Sequence, residues 1–217
     1  MYLPQHFEQP DPAALRLLMQ AHPLAALVTH AADGGFSADH IPLEFVAGAG
    51  EHGTLRGHVA RANPLWRHAG GRAVLAVFQG PQAYISPTWY ATKAATHKVV
   101  PTWNYAVVHA QGRLRAIEDT DWLLALVTRL TTQHEAGRHP PWAVADAPAD
   151  FVQQMLRAIV GIEIALTGLV GKWKVSQNRG QADRHGVTAG LAAGPQFAQS
   201  DAVALAALVL NPNQEPV

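Results

Sequence analysis

The first part of the chain alternates short apolar runs with turn-forming residues. Three runs of strand length, Leu24 to Thr29, Ser37 to Val46 and Thr54 to Val59, follow one another closely. Pro42 lacks a backbone N–H, so it favours an edge strand or a bulge within the second run. Hairpin-sized turns join these runs, and no helix of crossover length separates them. The pattern predicts an antiparallel barrel and argues against a doubly wound parallel sheet.

Later apolar segments continue this pattern. The further predicted strands are residues 73–79, 83–86, 105–109, 113–117 and 162–169. Gly80-Pro81 and Gln111-Gly112 are dipeptides that favour turns between them. Residues 86–105 fit neither a helical nor a strand period and predict an aromatic, cationic loop.

Helical periodicity occurs near the start, in the middle and at the end of the chain. Asp11 with Pro12 predicts the N-cap and first position of a helix. Thr120 is the expected cap of a helix over Asp121–His134, and Asp150–Val160 is a second helix. Residues 201–210 predict a short apolar helix. The fold class is therefore mainly β with flanking helices (α+β).

Composition narrows the function classes. The 217 residues are 48% hydrophobic and 15% charged, which predicts a folded chain with a substantial core. The 16 basic and 16 acidic residues cancel, so the charge gives no support for DNA contact, and only a local basic patch would allow it. No apolar run of about 20 residues predicts a membrane span, and the first residues lack the pattern of a secretion signal. We expect a cytoplasmic protein without membrane contact.

Cysteine is absent, which excludes thiolate chemistry, disulfides and cysteine metal sites. Gly48 to Gly53 matches the letters of a dinucleotide fingerprint, but the residues after it predict a strand and not the helix that the pyrophosphate requires. His134 and His139 lie one residue too far apart for a zinc pair on one helix face, so no metal site is predicted.

Two clusters have the chemistry of a ligand site. In residues 37–42, small side chains would let a flat ligand approach the backbone; the alternative is an ordinary edge strand with a bulge. In residues 57–66, Arg61 lies where a strand turns into a helix start capped by Asn63. A cation beside free N–H groups suits an anion, above all phosphate, and a solvated arginine beside an ordinary cap is the equally weighted alternative.

A third cluster concentrates aromatic residues in the loop of residues 86–105. Trp89, Tyr90, Trp103 and Tyr105 alternate with lysines and with amide or hydroxyl groups. This composition suits a planar ligand or a partner surface; the alternatives are a satellite core or a dimer interface. Residues 172–179 add another tryptophan and several polar groups.

These stretches resemble the PaiB family of FMN-binding proteins, which are described as negative transcriptional regulators. The resemblance rests on the strings GHVARANP from Gly57, PTWNY from Pro101 and SQNR from Ser176, and it extends over about residues 1–190. It implies an FMN-binding split β-barrel, antiparallel with a Greek-key order, that forms a homodimer with FMN at the interface. We expect residues 1–190 to form this domain, with helices inserted at about 120–160, and residues 191–217 to form a C-terminal extension.

The resemblance also implies which residues contact the cofactor. The first cluster would lie along the flavin ring, the turn at Arg61 would hold the phosphate and ribityl chain, and the aromatic cluster would close over the ring. The implied cofactor-binding residues are Ala38, Asp39, His40, His58, Val59, Ala60, Arg61, Asn63, Ser86, Trp89, Lys93, Trp103, Asn104 and Arg179. No catalytic residue is assigned.

The family's description implies a negative regulator or a flavin-dependent sensor. The alternative is an FMN-dependent oxidoreductase of the flavin reductase or pyridoxamine-phosphate-oxidase type, in which the cofactor carries the redox step and few side chains are needed. A second alternative is a haem-binding split barrel, which the abundant histidines permit. The predicted helix Asp121–His134 carries one arginine, Arg129, and is not a basic recognition helix, so regulation through DNA would be indirect or through a patch assembled by the dimer.

Overall fold

The structure, a computed structural model, describes residues 1–30, 34–48, 50–68, 70–193 and 199–212. These residues form two compact units. Unit 1 comprises Met1–His22, Val77–His109 and the described residues from Leu169 onward, and unit 2 comprises the described part of Pro23–Ala76 and Ala110–Gly168.

The architecture is a mainly antiparallel sheet with flanking helices. The strands are β1 (Glu8–Gln9), β2 (Leu24–His30), β3 (Phe36–Pro42), β4 (Glu44–Val46), β5 (Thr54–Ala60), β6 (Arg72–Ile85), β7 (Thr102–Ile117) and β8 (Ile159–Lys174). The helices are α1 (Pro12–Ala21), α2 (Thr92–Thr96), α3 (Thr120–Glu135), α4 (Ala149–Arg157), α5 (Gln181–Ala193) and α6 (Gln199–Leu210). The strand order is β3-β2-β6-β7-β8-β5-β4, and β1 pairs with β8. The predicted fold class is confirmed.

In unit 2, a hairpin forms each of the two ends of the strand order. β2 pairs antiparallel with β3, and β4 pairs antiparallel with β5. Within the part of the chain that the structure describes, β3 lies at the end of the strand order and pairs with β2, so the prediction that Pro42 marks an edge strand is confirmed. Gly53 leads into strand β5 and not into a helix, which confirms that the glycine-rich motif is a hairpin loop; Ala49 of this motif lies outside the described residues.

The middle helices of unit 2 were predicted closely, but the cap of α3 was not. The N-cap is Asp119, whose carboxylate accepts a hydrogen bond from the Trp122 N–H at 2.7 Å. Thr120 is the first helical residue instead. A carboxylate both satisfies an orphan N–H and interacts favourably with the positive end of the helix, so the aspartate competes well for the cap position.

Two of the predicted turns are wrong, because the strands run straight through them. In unit 1, β6 continues through Gly80-Pro81, where a Cβ on Gly80 would lie 2.8 Å from the Leu18 side chain. In unit 2, β7 continues through Gly112, where a Cβ would lie 2.6 Å from the Ala165 carbonyl oxygen. Both glycines permit a close approach between elements and do not make turns.

The aromatic segment of unit 1 also holds more order than predicted. It contains a 3₁₀ helix, Pro87–Trp89, and the short helix α2, and β7 begins at Thr102. Helix α5 was not predicted at all. Its Asp183 carboxylate is buried and accepts hydrogen bonds from the Thr92 N–H and hydroxyl, each at 2.9 Å, which ties α5 to the start of α2.

The C-terminal helix α6 confirms the prediction of a helix near residues 201–210. Residues 194–198 and 213–217 of the expected C-terminal extension lie outside the described residues. Among the helices that the structure describes, none combines the length and the hydrophobicity needed to cross a membrane.

Candidate functional site

A cleft of about 420 Å³ opens in unit 2 beside the edge strand β3. We call it the Asn63 cleft. Its lining is Thr29, His30, Ser37, Asp39, Asn63, Pro64, Leu65, Arg72, Val74 and Leu114. Hydroxyl, amide and guanidinium groups therefore meet a buried apolar floor of Val74 and Leu114. The size and this mixture of donors and apolar surface are typical of a small-molecule pocket.

Side chains alternate between the two faces of β3, and this alternation determines which of its residues reach the cleft. Ser37 and Asp39 line the cleft, whereas Ala38 and His40 occupy the alternate positions, which belong to the opposite face of a strand. Of the first predicted cluster, the structure therefore places Asp39 in the cleft and leaves Ala38 and His40 exposed outside its lining.

Asn63 lies in the turn after β5, and two hydrogen bonds fix the orientation of its side chain. Its side-chain N–H donates to the Asp39 carboxylate at 2.7 Å, and its side-chain oxygen accepts from the Leu65 N–H at 2.8 Å. The second bond confirms the predicted cap, although the element that it begins is a 3₁₀ helix, Pro64–His68. Asp39 and Asn63, predicted from separate clusters, are thus brought into direct contact.

Arg61 lies at the junction of α4 and β8 and is already bonded. Its guanidinium donates to the Arg157 carbonyl oxygen at 2.8 Å, the Ile159 carbonyl oxygen at 3.2 Å and the Glu118 carboxylate at 2.6 Å. The Glu118 side chain is 57% exposed, so this ion pair is weak and exchangeable. A phosphate at Arg61 would have to share the guanidinium with Glu118 or replace it.

The remaining β5 residues of the predicted site differ in accessibility. The Val59 side chain is buried in the core, so only its backbone could contact a ligand, whereas Ala60 is exposed. His58 is half-buried, and its Nδ1 has no hydrogen-bond partner. Burial lowers the pKa of His58 below the ordinary histidine value of 6.5, so the imidazole is neutral at neutral pH.

In unit 1, two of the predicted cofactor-binding residues, Ser86 and Trp89, already make structural contacts. The Ser86 hydroxyl accepts from the Thr88 N–H at 3.2 Å and caps the 3₁₀ helix. Trp89 lies against α5, because a Cβ on Gly190 would be 2.2 Å from its ring and one on Gly186 would be 1.9 Å from its carbonyl oxygen. Both contacts are those of a packed structural element.

Two pairs of predicted or neighbouring residues form contacts in unit 1 near the end of β8. Asn104 is fully buried and donates to the Ser176 hydroxyl at 2.9 Å. The Arg179 guanidinium lies 4.6 Å from the centre of the Tyr90 ring, a cation–π contact. Burial raises the pKa of Tyr90, and the neighbouring Arg179 charge opposes this rise. Lys93 is half-buried in α2, and Trp103 is 51% exposed on β7.

Comparison with known proteins agrees with this architecture. The sequence family described as "Putative FMN-binding domain" matches residues 1–168. The Bacillus subtilis protein named protease synthase and sporulation protein PAI 2 is 33% identical over 84% of this chain and 85% of its own length. An uncharacterized protein of Emericella nidulans is 34% identical over 88% of this chain and 90% of its own length.

The chain belongs to the PaiB family of FMN-binding proteins. Among solved structures, the FAD and heme binding protein from Mycobacterium smegmatis superposes with a TM-score of 0.56 at 18% identity, covering 90% of this chain and 78% of that one. At this identity the likeness shows a shared fold, the split β-barrel that the sequence resemblance implied.

The donors of the Asn63 cleft fit the cofactor of the PaiB family. The hydroxyls of Thr29 and Ser37 and the Asn63–Asp39 pair suit the hydroxyl-rich ribityl chain, and the apolar floor suits a flat ring. Arg72 supplies a cation to the same cleft; its guanidinium donates to the His30 carbonyl oxygen at 3.2 Å, which leaves most of its N–H groups for a ligand.

Sequence reasoning missed Arg72, although one signal was available. Arg72 begins β6 directly after Gly70-Gly71 and therefore projects from a strand end. Its position in the cleft depends on the neighbouring strand β2, and a single sequence does not show which strands are neighbours. Within the residues that the structure describes, no cluster of metal-ligating side chains occurs.

We expect the neutral, half-buried His58 to make unit 2 less stable in acid. Because its folded-state pKa lies below 6.5, the unfolded chain takes up a proton first as the pH falls through 6.5, and stability falls with it. Urea unfolding monitored by circular dichroism at about pH 7.5 and about pH 5.5 measures the loss. His58→Gln should reduce the loss, and the exposed His40→Gln should leave it as in the wild type. An equal loss in wild type and His58→Gln would contradict this assignment.

Proposed function

We propose that this protein binds FMN in the Asn63 cleft, acts as a homodimer with the cofactor at the subunit interface, and serves as a flavin-dependent sensor or negative regulator of transcription. The observation that carries the proposal is the Asp39–Asn63 bond of 2.7 Å at the edge of a cleft whose lining includes Arg72. Membership of the PaiB family supports the choice of FMN.

In this proposal, each residue of the cleft has a defined role in binding FMN. Asn63 and Asp39 bind ribityl hydroxyls, and the pair keeps its orientation because Asn63 also caps the following turn. Val74 and Leu114 exclude water from the ring. When bound, FMN supplies the ability to accept and return one or two electrons, and the chain supplies binding and orientation. His40, His58, Val59 and Ala60 remain proposed contacts, as do the unit 1 residues Ser86, Trp89, Lys93, Trp103, Asn104 and Arg179.

The phosphate requires a cation, and the structure offers two candidate arginines near Asn63. Arg61 is the sequence-based candidate, and binding there means exchange of the exposed Glu118 carboxylate for phosphate. Arg72 is the candidate that lines the cleft. In both cases the guanidinium would bind the phosphate through paired N–H donors, which a lysine would not reproduce.

FMN titration of the wild type, Arg61→Ala and Arg72→Ala tests this proposal. A flavin spectrum in the purified protein, or saturable binding of added FMN, is expected. Loss of the phosphate-binding arginine removes charge-assisted hydrogen bonds and should weaken FMN binding about tenfold or more. Arg138→Ala is the control, since Arg138 is exposed and pairs with Glu135 at the end of α3. Absence of binding at micromolar FMN would overturn the proposal.

The regulatory part is supported by the name of the Bacillus relative, which refers to protease synthesis and sporulation. Direct reading of DNA has little support from the helices: Arg129, the one arginine of α3, is paired with Glu44 at 2.9 Å. We therefore propose indirect regulation. An electrophoretic mobility shift that weakens with salt would contradict this and show direct phosphate contact. Steady oxidation of NADH by the FMN-loaded protein would instead favour the oxidoreductase alternative.

A further inference from the structure

Two lysines lie side by side on one face of unit 1. Lys172 and Lys174 are two residues apart on β8, and alternation along the strand places both on the face opposite the buried Trp173. We call them the lysine pair. Lys172 is only 7% exposed, which is rare for a lysine without a carboxylate partner.

The lysine pair donates its hydrogen bonds to neutral acceptors. The Lys172 ammonium donates to the Tyr2 carbonyl oxygen at 3.0 Å. The Lys174 ammonium donates to the Trp103 carbonyl oxygen at 2.7 Å and to the Thr102 hydroxyl. Among the described residues, none of the ion pairs includes either lysine. Glu8 lies opposite Lys172 in the β1–β8 register, but its side chain is exposed and forms no ion pair with the lysine.

The two positive charges are therefore close together and uncompensated. Burial and the Lys172 charge lower the pKa of Lys174, which reflects the cost of holding two cations at this position. Each ammonium has three N–H donors, so Lys172 keeps two and Lys174 keeps one after the bonds described above. These donors and the unpaired charge would both be satisfied by an anion.

Aromatic rings surround the lysine pair. The Lys172 ammonium lies 5.6 Å from the centre of the Tyr2 ring and 5.5 Å from that of Tyr105. Trp103, whose carbonyl oxygen binds Lys174, is 51% exposed and meets the Tyr84 ring edge-on at 6.3 Å. An exposed tryptophan and tyrosine beside a cation offer a stacking surface for a flat, negatively charged molecule.

We propose that the lysine pair and the rings of Trp103 and Tyr84 form a binding site for an anionic group carried on a planar ring. The carboxylate or phosphate would take the free donors of Lys172 and Lys174, and the ring would lie against the exposed aromatic face. The proposal concerns unit 1 alone and does not depend on the Asn63 cleft. Two sources share this chemistry: FMN itself, and a separate planar acid that acts as substrate or effector.

Benzoate is the probe. Its binding is followed by the indole N–H signal of Trp103 in a two-dimensional NMR spectrum. This signal is assigned as the one that disappears in Trp103→Phe. Saturable movement of this signal by benzoate is expected, with weaker binding of the non-planar cyclohexanecarboxylate. Lys174→Gln should weaken benzoate binding about tenfold, the loss of one charge-assisted hydrogen bond. Lys174→Arg should retain most of the binding.

Lys98→Gln is the matched control, because Lys98 is exposed in the same unit and the charge change is identical. It should bind benzoate as the wild type does. Circular dichroism shows whether each variant is folded. Lys172→Met keeps the length of a buried side chain without the charge, and it should also weaken benzoate binding. No saturation by benzoate, or equal weakening by Lys98→Gln and Lys174→Gln, overturns the proposal.

Competition with FMN shows whether the molecule that binds the lysine pair is FMN or a separate planar acid. If FMN displaces benzoate from the Trp103 signal and Lys174→Gln weakens FMN binding, the anion is that of the flavin. If benzoate binds unchanged to protein saturated with FMN, the site takes a separate planar acid. Both outcomes support a planar-anion site. Failure of FMN to bind at all would overturn the function proposed for the Asn63 cleft, and saturable benzoate binding would then assign the lysine pair to a separate planar acid.

Discussion

We expect Gly186→Ala to destabilise unit 1 by about 3 kcal/mol, the upper range for overpacking of a tight contact. Helix propensity alone predicts the opposite sign, because alanine is about 1 kcal/mol better than glycine inside a helix. The contact decides the result: the new Cβ would lie 1.9 Å from the Trp89 carbonyl oxygen, which is backbone and cannot rotate away. Either α5 or the 3₁₀ helix at Trp89 must move.

Urea unfolding measures this change, and Gly137→Ala is the matched control. A Cβ on Gly137, just after α3, would meet no atom within 4 Å. The control should therefore change the free energy of unfolding by no more than about 0.5 kcal/mol. Gly190→Ala should also be destabilising, since its Cβ would meet the Trp89 ring at 2.2 Å, but a side chain can adjust more than a backbone. Equal stability of Gly186→Ala and wild type would contradict the described packing of α5.

The second large effect is expected at Glu163 in unit 2. This carboxylate is 9% exposed and accepts from Arg56 Nε and Arg115 Nε, each at 2.8 Å. Arg115 is 67% exposed and would simply regain water, but Arg56 is only 26% exposed and lies 5.8 Å from the Trp122 ring. Glu163→Gln leaves a partly buried cation without its counter-charge, which costs about 3 kcal/mol.

Glu135→Gln is the control for the same chemical change at an exposed ion pair. Its partner Arg138 is 70% exposed, so the free energy of unfolding should change by less than about 0.5 kcal/mol. The amide oxygen can still accept from the Trp142 N–H. The double variant Arg56→Met with Glu163→Met should recover much of the stability, because it removes both charges together. If Glu163→Gln proves as harmless as Glu135→Gln, the carboxylate does not hold Arg56.

Local rules predicted the parts of the fold that local chemistry determines. The Asp11 cap with Pro12 at the first helical position, the edge position of Pro42 and the hairpin loop before β5 are all confirmed. Each depends on residues adjacent in the chain, so a single sequence contains the information.

The misses share a non-local cause. Gly80 and Gly112 look like turn residues, but each is needed where another element approaches the strand closely. Helix α5 was missed because its glycines lower helix propensity, while the reason for them, the contact with Trp89, lies far away in the sequence. Propensity rules cannot detect a glycine that is required by a distant neighbour.

The candidate site shows the same division. The sequence indicated Asp39 and Asn63 separately, and the structure joins them in one hydrogen bond. It did not indicate Arg72, whose place in the cleft depends on the order of strands, or Glu118, which lies far along the chain and occupies Arg61. Residue types predicted the chemistry of the site, and topology determined which residues share it.

The match to the family stops at residue 168, which lies inside β8 and not at the end of an element. A chain shortened there would lose the second half of a strand that continues to Lys174, together with α5. Trp89 would lose the glycine-lined surface on which it rests, and Thr92 would lose the Asp183 carboxylate. The segment matched by the family model is thus shorter than the folded chain. Because α6 also buries Leu205, Leu208 and Val209, a shortened chain for expression should keep the residues through Leu210.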